Sequence, residues 1–205
     1  MQRWPVSTGR WAVVVSLAAA VALAAIVPLG CGSDKTKAQV NELFKQASEH
    51  SDNFVKAMNG LQKFQKTWEQ LFAGSEETPQ TIPTGQALLA SAEKILLTAR
   101  GEIKAMQDDL VKVKELDVSK DMKTYIDMKT GALDEQIKTL DIELQAMQAR
   151  EKLLSDYQAD ASIQQLAADE QQVSQLETQA KDHSDQAKKL HQDANDYYTD
   201  KKLNR

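Results

Sequence analysis

Few residues in this chain are of a type that does chemistry, and their spacing decides what each can do. There is one cysteine, Cys31, and there are three histidines, His50, His183 and His191. The cysteine closes the run Val27-Pro28-Leu29-Gly30-Cys31, directly behind an apolar segment. A lone thiol can stay free, pair with a second chain or serve as a point of covalent attachment. Its place at the end of an apolar run argues for attachment, which leaves no thiol nucleophile.

The histidines exclude more than they suggest. A carboxylate-bridged di-metal bundle needs Glu-x-x-His pairs projecting inward; three residues before His50, His183 and His191 stand Ala47, Ala180 and Lys188. His-Glu-x-x-His, Cys-x-x-Cys-His and Gly-x-x-x-x-Gly-Lys runs do not occur either, so the motifs of zinc hydrolases, c-type haem proteins and P-loop enzymes are missing. Ser and Asp are plentiful, but no strand-turn-helix setting marks one of them as a hydrolase residue. His183 alone supports a sharper reading, because it falls on an apolar stripe with Leu176 and Leu190 one heptad away. A b-type haem held between His183 and one of Met58, Met106 or Met147 is the cofactor alternative. The plainer reading is methionine filling core gaps and a histidine satisfied by a hydrogen bond. His50 and His191 lie in polar surroundings and read as solvated. The expectation is a protein without catalytic residues, metal or cofactor.

The segment before Cys31 has the layout of a secretory leader: a basic start with Arg3 and Arg10, an apolar middle from Trp11 to Leu29, and the small residue Gly30. An uncleaved membrane helix is the alternative, since about 20 apolar residues span a bilayer and Trp11 to Leu29 supplies 19, seven of them alanine. Leu29-Gly30-Cys31 resembles the end of a bacterial lipoprotein signal, a likeness confined to the first 31 residues. Pro28 and Leu29 depart from the usual pattern three and two places before the cysteine. The resemblance implies cleavage between Gly30 and Cys31, a thioether-linked diacylglycerol on Cys31 with acyl chains such as palmitate, and an extracytoplasmic protein anchored to the inner or outer membrane. Residues 1–30 are then a removed signal peptide and 31–35 a short tether.

Loss of residues 1–30 takes away Arg3 and Arg10 and no acid, which moves the net charge from −5 to −7. Nucleic acid and anionic lipid both demand clustered positive charge, so neither is an expected partner. With a single cysteine there is no internal disulfide, and the exported part must fold on apolar packing alone.

That part reads as helix throughout. Pro79 and Pro83 fall in the stretch from Gly74 to Gly85, no proline follows, and no run alternates as a strand would. Apolar residues at gaps of three and four form four stripes. The first runs from Val40 through Phe54 to Phe72, with Ser51 and Gln65 as polar interruptions. The second runs from Leu89 to Val113 without interruption, and the third takes Ile126, Leu133, Ile137, Leu140, Leu144, Met147 and Leu154. The fourth takes Leu166, Val173, Leu176, Ala180, His183, Ala187, Leu190, Ala194 and Tyr197. Helices are expected over about 36–72, 85–116, 120–156 and 162–200, making 36–205 an elongated all-α, up-down four-helix bundle with coiled-coil-like packing. Asp117 or Ser119 can cap the third helix. Residues 155–162 contain no Gly or Pro, so a continuous rod is open; Ser162 with Gln165 has capping-box spacing and favours a turn near Asp160.

Phe64, Trp68, Phe72 and the loop residue Ile82 gather at one end of the bundle and widen its apolar face. A broad core is one reading of that end and a surface for a partner is the other. Together these features point to a lipid-anchored binding or scaffolding protein of the cell envelope, with an envelope protein as partner and self-association open. A sensory or ligand-binding module acting through a membrane partner is the alternative.

Overall fold

The computed structural model describes residues 34–72 and 81–203. They form four helices, α1 Asp34–Phe72, α2 Thr81–Glu115, α3 Lys120–Gln158 and α4 Ile163–Asp200, with no strand among the described residues. The chain is thus the all-α four-helix bundle that the stripes predict. The signal segment, Gly30, Cys31 and most of the loop from Gly74 to Gly85 lie outside the described residues.

Helices of 35 to 39 residues are about 52–58 Å long at 1.5 Å per residue. Each packs extensively on its chain neighbours, α1 on α2, α2 on α3 and α3 on α4, while α1 and α4 make no comparable pairing among the described residues. Polar pairs fix the antiparallel registers. Between α2 and α3 they form a ladder along the whole helix: Gln86 Nε2 to Ser155 Oγ at 3.4 Å, Arg100 to Asp141 at 2.6 Å, Gln107 to Asp134 at 2.6 Å and Lys114 to Asp127 at 2.5 Å.

Local chemistry sets the ends. Helix α1 begins at Asp34, two residues earlier than expected, with that carboxylate in the first turn where the helix dipole favours it. Helix α2 begins at Thr81, ahead of Pro83. The first amides of a helix have no internal partner, so proline in the opening turn loses no bond. Ser119 caps α3, its Oγ accepting from Met122 N at 3.1 Å.

The segment 155–162 does contain a turn. Helix α3 stops in a Schellman motif: Ala161 N–H bonds Asp156 O at 2.9 Å and Asp160 N–H bonds Tyr157 O at 3.1 Å, with Asp160 left-handed at φ 51°. That position usually holds Gly, and here Asp takes it, so the usual sequence signal is missing. Ser162 then caps α4 by accepting from Gln165 N at 3.2 Å. The reciprocal half of the capping box does not form, because Gln165 Nε2 donates to Asp169 at 3.1 Å instead. Ser162→Ala should lower stability by about 1 kcal/mol, seen as a lower denaturant midpoint at unchanged slope. An unchanged midpoint would mean that the cap does not hold this turn.

Phe44, Phe54, Met58 and Leu61 of α1 meet Leu96, Ile103, Met106 and Leu110 of α2 in one apolar core, which Ile126, Leu133, Leu140, Met147 and Leu154 of α3 extend. Helix α4 joins that core only near its end, through Ala194 and Tyr198 with Leu203 beyond it. Its buried seam runs Ala180, Ser184, Ala187, His191, Ala194, Tyr198. This corrects the predicted stripe by one position in three places: His183, Leu190 and Tyr197 are only half-buried, and Ser184, His191 and Tyr198 lie inside. The cause is the close approach of α4 to α3. Interaxial distance follows the size of the side chains at the contact, so the small residues Ala180, Ser184, Ala187 and Ala194 make up most of the seam, and Leu190 and Tyr197 flank it.

Candidate functional site

Helix α3 is buried on two sides, which sorts its residues into columns seven apart. Ile126, Leu133, Leu140, Met147 and Leu154 form the column of the apolar core. Beside it runs a second buried column, Met122, Lys129, Gln136, Glu143 and Arg150, polar after its first member. Tyr125, Ala132, Thr139 and Ala146 make a third. Four pairs set the register of α4 against them: Lys152 to Asp169 at 2.7 Å, Arg150 to Glu177, His183 Nδ1 to Glu135 Oε2 at 2.7 Å, and Tyr197 Oη donating to Asp121 at 3.0 Å. The result is a polar spine inside the α3–α4 half of the bundle.

The upper part of the spine is compensated. Arg150 donates through Nη2 to Glu177, and its Nη1 lies 3.9 Å from Met147 Sδ. Burial pushes the Glu143 carboxyl up to about 7; the positive charge of Arg150 opposes that shift and the negative charge of Glu177 adds to it. Thr139 Oγ1 donates to Glu135 O at 2.9 Å.

The lower part is not compensated. Tyr125 Oη, Lys129 Nζ, both amide atoms of Gln136 and both ring nitrogens of His191 are buried with no hydrogen-bond partner among the described residues. Lys129 is 1% exposed and His191 2%. The Lys129 ammonium lies 5.9 Å from the centre of the Tyr125 ring, and that ring packs 4.9 Å from the ring of Tyr198. Burial pulls the Lys129 amine down to about 8. Burial first, and then the charge of Lys129, pull His191 down to about 3, so its imidazole is neutral at pH 7. Burial and the neighbouring Tyr198 push the Tyr125 phenol up, which keeps it a hydroxyl donor.

This corrects the reading of His191 as solvated. The residues around it in sequence, Lys188, Lys189, Gln192 and Asp193, are exposed, but the helical phase carries the imidazole itself into the seam. His183 takes the opposite course. It lies at the rim with a side chain 34% exposed, paired to Glu135, outside the core that holds Met58, Met106 and Met147. His50 is half-buried at the edge of α1 and α2, its Nδ1 2.6 Å from Glu102 Oε2 and its Nε2 3.8 Å from Asp109, which Lys112 also holds at 2.8 Å.

The aromatic end is mostly interior. Phe64 and Trp68 are buried, with ring centres 5.9 Å apart, and Trp68 meets Phe72 at 4.6 Å. Gln65 leaves the stripe without an apolar side chain, and the adjacent Phe64 turns inward in its place. Gly85 permits this closure: a Cβ there would stand 2.9 Å from the Phe72 ring and 3.1 Å from Leu154 Cδ1. Phe72 and Ile82 are half-buried against the core, so they keep the accessible part of the proposed partner surface.

No group of three or more His, Cys, Asp or Glu side chains able to hold a metal gathers among the described residues. No helix among them is long and apolar enough to cross a membrane. Comparison of the chain with family models, curated proteins and solved structures finds no match.

Hydrophobic spacing does not reveal the polar spine, because Lys129, Gln136, Glu143 and Arg150 are types normally found in water. A signal was available. The predicted stripe of α3 recurs at full heptad spacing, and Ile137 and Leu144, which fall between its main positions, are both half-buried flanks. A helix with one apolar column per heptad must bury something else to pack on both sides.

Proposed function

We propose that the chain is a lipid-anchored, extracytoplasmic bundle that acts by binding or scaffolding at the cell envelope, without turnover. The observation that carries this reading is the Gly30-Cys31 junction behind an apolar segment with a basic start. The start of α1 at Asp34 is in keeping with it, since only Gly32 and Ser33 separate the anchoring residue from a rigid rod. A lipid on Cys31 would hold one end of the bundle at the membrane surface. The rod would then carry its far end about 50 Å from the lipid, a geometry suited to meeting a second envelope component. Phe72 and Ile82 are half-buried apolar residues at the aromatic end and the first positions to examine for such a contact.

Cys31→Ala should leave an unprocessed precursor and abolish incorporation of labelled palmitate, while the wild type is labelled and shortened. A mature membrane fraction with a free thiol at Cys31, or a mature chain still beginning at Met1, rejects the anchor. Crosslinking in cells, with loss of the product on replacing Phe72 and Ile82 by serine, tests the partner surface independently.

A further inference from the structure

We propose that Lys129, His191, Tyr125 and Gln136 form a binding site between α3 and α4 for one small monovalent anion, a halide or a short carboxylate. Charge is the first argument. The other buried charged groups described here face an opposite charge: Arg150 faces Glu177 and its charge acts on Glu143, Asp109 faces Lys112, Glu135 faces Lys138 and His183, and Asp169 faces Lys152. Lys129 has no ion pair among the described residues. Tyr125 lies beside it on α3, and the register set by Glu135 with His183 and by Tyr125 with Tyr198 brings His191 opposite it on α4. None of these groups is anionic at neutral pH. On the α2 side, Asp127 is taken by Lys114 and Asp109 by Lys112. A buried ammonium left in this state is costly, and an anion removes the cost.

The donor set points the same way. Lys129 offers three N–H groups, Tyr125 one O–H, Gln136 an amide NH₂ and neutral His191 one ring N–H, and the structure gives none of them a hydrogen-bond acceptor. Gln136 stands one heptad, about 10 Å, beyond Lys129 along α3, so it closes the upper side of the layer and Tyr125 the lower. Ala132, Ala187 and Ala194 are the small neighbours in the same seam. They bring the helices close, which limits an occupant to a few heavy atoms, and the single uncompensated charge limits it to one negative charge. The site is independent of whether Cys31 carries lipid.

The test is the thermal midpoint of the full chain in a neutral detergent at pH 7. Chloride or acetate replaces a bulky sulfonate salt at constant ionic strength. The wild type should gain stability in a saturable way, and the salt that saturates at the lower concentration assigns the occupant as halide or carboxylate. Lys129→Met, close in length and uncharged, should respond to neither salt and melt no lower than the wild type in sulfonate. Tyr125→Phe should keep the saturable rise with a half-saturating concentration about tenfold higher, the loss of one charge-assisted hydrogen bond. Identical wild-type midpoints in all three salts would mean that water fills the layer, and would overturn the proposal. A rise that does not saturate, or one that Lys129→Met shares, would also overturn it as a general salt effect.

Discussion

Phe54→Ala should cost the bundle about 3–5 kcal/mol, whereas Leu97→Ala should change stability by no more than about 0.5 kcal/mol. Phe54 is fully buried in the α1 seam, at a level bracketed by the contacts of His50 with Glu102 and of Gly60 with Ile95. Removing the ring deletes apolar burial and leaves a cavity between two long rods. Those rods are tied along their whole length by the rest of the stripe, so they have little freedom to collapse into the gap. Leu97, on the outer face of α2, is 52% exposed and leaves no cavity. Urea denaturation of both variants at pH 7 measures the difference. Equal losses would mean that Phe54 is not in a packed interior, and the antiparallel pairing of α1 with α2 would have to be abandoned.

The parts of the fold that were legible in the sequence are those where hydrophobicity and helical period agree. The apolar α1 and α2 stripes predicted by spacing are buried from Val40 to Trp68 and from Leu89 to Val113, with Phe64 inside in place of Gln65 and Phe72 half-buried. Even the polar interruption at Ser51 is buried, as its phase requires. Caps were legible where the side chain itself makes the bond, at Ser119 and Ser162. The turn near Asp160 was legible only through the Ser162 cap that follows it; the form of the stop was not, because a left-handed Asp160 does with aspartate what sequence patterns assign to glycine. The α3–α4 seam was hidden for a different reason. Period alone places Lys129, Gln136, Glu143 and Arg150 in one column and Ser184 and His191 in another, but polarity argues that both columns face water. Burial of such groups depends on where a second helix lies, and the pattern of α3 taken singly signals only that a further face is buried, not which polar residues it takes inside. The candidate site lies where local preference and tertiary placement disagree, and natural chains tend to accept such conflict at functional positions.

Acidification from pH 7 to pH 3 should destabilise the protein through His191 by on the order of 4 kcal/mol, among the largest effects of any single group. The folded imidazole protonates only near pH 3, held down by burial and by the charge of Lys129, against an ordinary value of 6.5. Between those values the unfolded chain binds a proton that the folded chain refuses, so stability falls as pH drops through 6.5 and levels off below about 3. Glu143 works in the opposite sense. Its folded carboxyl titrates near 7 instead of 4.5, so the folded chain holds the extra proton over that range and acid stabilises it there. The wild-type profile therefore sums two opposed slopes, and each variant should uncover the other. His191→Leu keeps the seam apolar at similar volume and should remove the acid loss, so that its advantage over the wild type is flat above pH 7 and widens steadily below it. Glu143→Gln should steepen the wild-type fall between pH 7 and 4.5. Denaturant midpoints at half-unit pH intervals provide the measurement. An advantage of His191→Leu that does not vary with pH would mean that the imidazole titrates freely in the folded protein. The polar layer of α3 and α4 would then be open to water, and the burial on which the anion site depends would be lost with it.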